Sequence, residues 1–152
     1  MLSKAISTCR LCDSPQLEEI FDLGEHALSG RFPLLEDPDV PSGPLRLVKC
    51  GRCDLVQLGH DFELRELFGE TYGYRSGINA TMANHLAGVA RAAEGLIELS
   101  DGDVVLDIAS NDGTLLKSYG TDASIVKIGI DPTIQQYRSH YPVDTLAEAD
   151  FF

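Results

Sequence analysis

The hydrophobic positions of this chain change period twice along its length. From Cys9 to Phe68 the apolar residues come in short, separated groups. Leu17, Ile20, Phe21 and Leu23 read as a short strand or turn, and Phe32 and Leu34 form a second apolar point. Glu36–Pro44, EDPDVPSGP, reads as a loop, because its prolines cannot donate to the ladder of a central strand. Leu45–Lys49 and Asp54–Leu58 alternate apolar with polar positions and predict a hairpin whose turn is Cys50–Cys53. Phe62–Phe68 predicts a short helix with Leu64, Leu67 and Phe68 on one face.

From Ile78 to Leu99 the spacing becomes helical, with Ile78, Met82, Leu86, Val89, Ala93 and Leu96–Ile97 in one stripe. His85 lies near it and reads as a half-buried structural histidine. Beyond Asp103 the pattern changes again. Val104, Val105, Leu106 and Ile108 form a nearly continuous run, as expected of a parallel strand covered on both faces. Asn111-Asp112-Gly113 predicts a tight turn, Leu115–Tyr119 a short helix capped by Thr114 or Asp112, and SIVKIGI a second strand ending at Asp131. The fold class that follows is α/β.

Composition narrows the function. The 152 residues carry 43% hydrophobic and 24% charged side chains, which suits a packed, soluble chain. Twenty-four acidic against twelve basic residues give a net charge of -12, unfavourable for nucleic acid or an anionic membrane. The one basic cluster is Arg46, Lys49 and Arg52. No apolar run is long enough to cross a bilayer, and the N-terminus lacks the apolar core of a signal peptide. A cytoplasmic setting is therefore expected, with reduced thiols.

In that setting the four cysteines need a purpose other than disulfides. Cys9-Arg10-Leu11-Cys12 and Cys50-Gly51-Arg52-Cys53 are two matched CxxC pairs. Each pair can form a turn whose N–H groups point at sulfur, and two such turns offer four thiolates to one Zn²⁺. The alternative is free or redox-active thiols, but a thioredoxin-like motif would set one pair beside a βαβ unit. A four-cysteine site has no open coordination position, so its zinc is expected to be structural. His26 and His60 lie nearby but are not needed as ligands.

The stretch from Val104 to Asp131 has the order of a nucleotide-binding α/β unit: strand, turn, helix, strand, acid. Ligands of open parallel sheets bind beyond the carboxyl ends of the strands, where Asp107 and Asp131 fall. Asp131 is placed to accept ribose hydroxyls. GxGxxG, which lets a pyrophosphate approach the helix, is absent. The polar Ala109-Ser110-Asn111-Asp112-Gly113 turn instead suits a phosphate-free adenosine cofactor with an amino-acid tail, which points to S-adenosylmethionine (SAM). The segment before the long helix, Glu70-Thr71-Tyr72-Gly73-Tyr74-Arg75-Ser76, reads from its residues alone as a packing linker ending in a helix cap.

The succession CRxC, FDLG, LxLVxCxxCxLVQL, ETYxYxS, VLDIxSNDGTLL and GIDP resembles the SAM-dependent C-methyltransferases of deoxysugar nucleotide biosynthesis, collinearly from Cys9 to about Pro132. The resemblance implies an N-terminal zinc-binding domain over 1–68, an active-site loop and linker helix over 69–101, and a partial Rossmann-like SAM domain over 102–152. It implies structural zinc on Cys9, Cys12, Cys50 and Cys53. It implies cofactor contacts from Ser76, Asp107, Ala109, Ser110, Asn111, Asp112, Gly113 and Asp131, and candidate catalytic roles for Tyr72 and Tyr74. The implied reaction removes a proton beside a keto group of a nucleotide-linked sugar and passes the resulting carbanion or enolate to the methyl group of SAM. Ala109 departs from the family's usual glycine. Only two strands are evident against the family's about seven, and the terminal Ala-Asp-Phe-Phe reads as a cut within an element. The chain is therefore expected to be an N-terminal portion, inactive by itself. The alternative is an inactive zinc-stabilised module that complements a second polypeptide or self-associates through its incomplete sheet.

Overall fold

The computed structural model describes residues 2–30, 32–36, 40–69 and 71–152. Part of the expected loop (37–39) and Glu70 of the aromatic segment lie outside the described residues. The chain forms two compact units, Met1–Gly73 and Tyr74–Phe152.

In the first unit, β1 (Ser3–Ala5) pairs antiparallel with β5 (His60–Phe62). A second antiparallel sheet has the order β2 (Leu17–Ala27), β3 (Ser42–Cys50), β4 (Val56–Leu58). The pairs Leu47–Leu58, Val48–Gln57 and Lys49–Val56 form the hairpin that the alternation predicted around Cys50–Cys53.

Three expectations are corrected. β2 is an eleven-residue strand rather than a short one, broken by register shifts between Glu19 and Phe21 and between Asp22 and Glu25. Pro44 is not in a loop: it lies in β3, the central strand, opposite Glu25. Proline is tolerated there because β4 stops opposite Leu47, so β3 has one neighbour in its own sheet at that point. The helix α1 spans only Leu64–Phe68, because Phe62 is held in β5 opposite Ser3. The basic cluster is also largely neutralised: Arg46 meets Glu19 and Asp22, and Lys49 meets Asp54.

In the second unit a 3-10 turn (Ser76–Ile78) precedes the long helix α2 (Ala80–Glu94). Asn79, not Ser76, caps α2, its side chain accepting from the N–H groups of Thr81 and Met82. The helix is shorter than Ile78–Leu99 and its covered face is rotated: Met82, Ala83, Leu86 and Ala87 are half-buried and Ala90 fully buried. Val89 is exposed, and Ile78, Leu96 and Ile97 lie exposed outside the helix. His85 is exposed rather than half-buried.

The parallel sheet has β7 (Val126–Ile130) between β6 (Val104–Ile108) and β8 (Leu146–Glu148). Two short helices, α3 (Thr114–Lys117) and α4 (Ile134–Tyr137), lie between the strands in sequence. The third strand is an addition to the two expected. One sheet face carries Val105 and Ala147 against Leu116, Ile134 and Tyr141. The other is not covered as predicted. Val104, Leu106, Ile108, Val126 and Leu146, which parallel register places on that face, are all exposed.

Candidate functional site

Each cysteine pair is built by the same turn. Asp13 N–H donates to the Cys9 carbonyl at 3.0 Å, and Asp54 N–H donates to the Cys50 carbonyl at 3.0 Å. Asp13 and Asp54 have positive φ, 57° and 62°, a conformation Asp accepts better than most residues. The chain then returns so that Cys9 N–H reaches Ser14 and Cys50 N–H reaches Leu55. Leu11 N–H points at the Cys9 sulfur and Arg52 N–H at the Cys50 sulfur, at 3.4 and 3.3 Å.

The two turns bring all four ligand sulfurs within 4.8 Å of one another, with Cys9–Cys53 and Cys12–Cys50 at 3.6 Å. Tetrahedral Zn–S bonds of about 2.3 Å require sulfurs about 3.8 Å apart, so this donor set fits zinc. Among the described residues no histidine joins the cluster. His26 Nε2 contacts the Leu23 carbonyl, and Nδ1 of His60 is buried without a partner among the described residues.

Burial raises the Cys9 thiol, but N–H groups of Leu11 and Cys12, the Gln57 amide and Cys53 outweigh it and bring the pKa down to about 6. Cys53 is eased by the Leu55 N–H, yet burial and the three other thiols push it up to about 12. Four sulfurs this close cannot all be anionic unless a cation shares them.

Two residues not singled out in the sequence tie the turns together. Gln57 is buried; its amide donates to the Cys9 sulfur at 3.3 Å and accepts from Arg10 N–H at 3.1 Å. The Arg10 guanidinium donates to the carbonyls of Leu58 and His60 and pairs with Asp61 at 2.6 Å. Gln57 sits on β4 two positions after an apolar residue, and only its place opposite Val48 shows that it faces inward.

The second candidate site lies at the carboxyl ends of β6 and β7. Asn111 and Ala109 have positive φ, 47° and 62°. Alanine carries steric strain there that a glycine would not. Gly113 has φ 72°, and a Cβ on it would stand 2.8 Å from the Tyr141 ring, so glycine is required twice over.

The polar side chains of the turn point into the protein rather than toward a ligand. Ser110 Oγ is 2.7 Å from the Tyr141 hydroxyl, which also donates to the Asn111 carbonyl at 2.8 Å. The Asn111 amide bonds Ser76 N–H at 2.8 Å and the Tyr74 carbonyl at 3.0 Å. Asp112 accepts from Gly77 N–H, Thr114 N–H and the Thr114 hydroxyl. Asp131 accepts from Asn111 N–H at 3.0 Å and from Thr133 N–H at 2.7 Å. The Thr133 hydroxyl also donates to Oδ1 of Asp131, at 2.5 Å. Thus Ser110, Asn111, Asp112 and Asp131 shape the loop, and of the two carboxylate oxygens of Asp131 only Oδ2, which accepts from Asn111 N–H alone, retains a lone pair beyond these bonds.

Asp107 is the exception. Its side chain makes no hydrogen bond among the described residues, and burial, followed by repulsion from Asp131, raises its carboxyl pKa to about 6. Tyr141, not singled out in the sequence, is the buried post beneath the turn; burial raises its hydroxyl pKa far above the usual tyrosine value. Ser76 contributes its backbone N–H. The candidate tyrosines fall in different units: Tyr72 packs edge-on against Phe68 in the first, while the Tyr74 carbonyl belongs to the Asn111 contact in the second.

Comparison with known proteins fits this anatomy. Residues 9–68 match the family described as "Putative zinc binding domain". Over 133 residues, 85% of this chain, the sequence is 32% identical to the C-methyltransferase NovU of Streptomyces niveus. The chain spans 31% of that relative's length. Among the described residues no helix is long and apolar enough to cross a membrane.

Proposed function

We propose that this chain, similar to the N-terminal portion of the sugar C-methyltransferases, provides the zinc-stabilised module and one side of the cofactor site of a SAM-dependent enzyme acting on a nucleotide-linked keto-deoxysugar. Cys9, Cys12, Cys50 and Cys53 hold a structural Zn²⁺. Asp107, the Ala109–Gly113 turn, Ser76 and Asp131 receive the cofactor, with Oδ2 of Asp131 offering its remaining lone pair to a ribose hydroxyl. SAM, when bound, supplies an electrophilic methyl group. Tyr72 and Tyr74 are the candidates to move the sugar proton or to stabilise the oxyanion of the deprotonated keto sugar.

One observation carries this reading. A half-buried carboxylate without a hydrogen bond among the described residues, Asp107, stands at the strand ends beside a tightly braced loop with no phosphate-binding glycine pattern. Such a group favours a cationic ligand atom, and SAM carries an ammonium and a sulfonium.

NMR titration with SAM tests it. We expect resonances of Asp107 and Ala109–Gly113 to shift, with affinity weaker than micromolar because a three-stranded sheet presents only part of a pocket. No shift in those residues at millimolar SAM would refute the reading. The second reading, a module that self-associates, draws on the apolar open face at Val104, Leu106, Ile108 and Leu146. A monomer in sedimentation at high concentration counts against it.

A further inference from the structure

The two cysteine turns are copies of one sequence. Residues 9–17, CRLCDSPQL, and 50–58, CGRCDLVQL, share both cysteines, the aspartate, the glutamine and the leucine at matching positions. In each copy the residue after the first cysteine sends its N–H to the glutamine of the other copy. The two glutamines receive it differently. Gly51 N–H bonds the main-chain carbonyl of Gln16 at 2.8 Å. Arg10 N–H bonds the side-chain Oε1 of Gln57 at 3.1 Å. Gln16 is exposed, whereas Gln57, fixed in β4 opposite Val48, is buried.

These partners decide which way the Gln57 carboxamide faces. The Arg10 guanidinium adds a second donor to the same atom at 3.3 Å. An atom that meets two N–H donors must be the oxygen, so the amide nitrogen faces the cluster, 3.3 Å from the Cys9 sulfur. That sulfur also receives Leu11 N–H, as the Cys50 sulfur receives Arg52 N–H. The side-chain amide has no counterpart in the second copy: among the described residues the Cys50 sulfur meets none.

A buried N–H aimed at a metal ligand has an electrostatic task. Four thiolates leave one Zn²⁺ with excess negative charge, in a chain that already carries -12. A hydrogen bond to sulfur takes up part of that excess and fixes the direction of the ligand. We propose that Gln57, oriented by Arg10, is a positioning residue of the zinc site, whose side-chain amide holds the Cys9 thiolate and sets the affinity for the metal. The role rests on the four-cysteine zinc reading above and adds to it a residue that touches sulfur rather than metal. A side chain that only filled the space and accepted from Arg10 could be replaced by glutamate, which has the same shape and two acceptor oxygens. A donor to sulfur could not.

Co²⁺ serves as a visible probe of the full chain. Its sulfur-to-metal charge-transfer bands, and zinc affinity by chelator competition, are measured for the natural sequence, Gln57→Glu, Gln57→Met and Gln16→Glu. Loss of an N–H raises the energy of the thiolate lone pairs, so both Gln57 variants should move the bands to longer wavelength. Zinc affinity should fall about 10- to 100-fold, most in Gln57→Glu. Gln16→Glu makes the same charge change and should alter neither reading. Natural affinity in Gln57→Glu overturns the proposal while the zinc reading stands. So does weaker binding with unmoved bands, which would reduce Gln57 to packing. A further measurement needs no substitution. With an NMR-active cadmium isotope in the natural chain, a Gln57 amide proton should show scalar coupling to the metal through the Cys9 sulfur, as should Leu11 N–H. Coupling at Leu11 alone overturns the proposal. A natural chain that takes up no cobalt on its four sulfurs overturns the zinc reading as well.

Discussion

At the residue scale, the decisive side chain is Asp107. Burial and its neighbour Asp131 raise its pKa from the ordinary carboxylate value of 3.8 to about 6. In the unfolded chain the group ionises more readily, so as pH rises from about 4 to about 6 the unfolded state loses its proton first. Asp107 therefore subtracts stability progressively through that window, and the penalty is fully present above pH 6. Asp107→Asn is expected to flatten the fall and to stabilise the protein at pH 7 by about 1–2 kcal/mol, the shift being discounted for partial exposure. Urea unfolding of both forms at pH 4, 5, 6 and 7 checks it; parallel curves would remove Asp107 as the cause. A cationic ligand beside Asp107 favours the ionised form, so ligand binding near pH 5 should release a proton. The acid at the strand end was legible in the sequence. Its isolation was not, because nothing local shows that Asp131 turns its own oxygens to Asn111 and Thr133.

At the scale of elements, what the sequence displayed depended on whether neighbours or distant residues decided the outcome. The cysteine turns are local: CxxC followed by an aspartate that accepts positive φ repeats at both sites, and the hairpin around the second follows from simple alternation. Strand β8 was invisible because its three residues pair only with β7 and two of them, Leu146 and Glu148, remain exposed. The helix α2 shows a subtler failure. Part of the stripe read from the sequence holds, since Met82, Leu86 and Ala93 are half-buried, but Val89 is exposed and the covered face takes in the small residues Ala83, Ala87 and Ala90 instead. Hydrophobic spacing ranks positions by side-chain size, and at Val89 and Ala90 that ranking is reversed, the alanine being fully buried and the valine exposed. Consequently Ala90→Leu, at a fully buried position, should cost about 1–3 kcal/mol by overpacking, while Val89→Ala should change stability by less than about 0.5 kcal/mol. Thermal unfolding of the two variants distinguishes the faces, and the reverse ranking would restore the stripe read from the sequence.

At the scale of the whole molecule, the two units depend on different sources of stability. The buried apolar residues of Met1–Gly73 are only Cys9, Leu28, Val48 and Cys50 among those described, and two of these are themselves ligand candidates. So small a core does not offset the entropy of ordering a unit of this size. In model zinc fingers the metal supplies about 10–16 kcal/mol of apparent binding free energy, which is folding free energy when the site exists only in the folded state. The second unit instead has a contiguous core of Leu116, Ile134 and Tyr141 with a parallel sheet against it. Removal of zinc should therefore act on one unit alone. Purified protein is expected to hold one equivalent of zinc. Chelation, or Cys9→Ser, should collapse the NMR dispersion of β2–β4, while β6–β8 and α2 keep their signals. Acidification should do the same, because protons compete with the metal for the four sulfurs. Less than half an equivalent of metal, or retention of β3–β4 after chelation, would place the stability of the first unit elsewhere. Loss of both units together would show that the parallel sheet also depends on the zinc module.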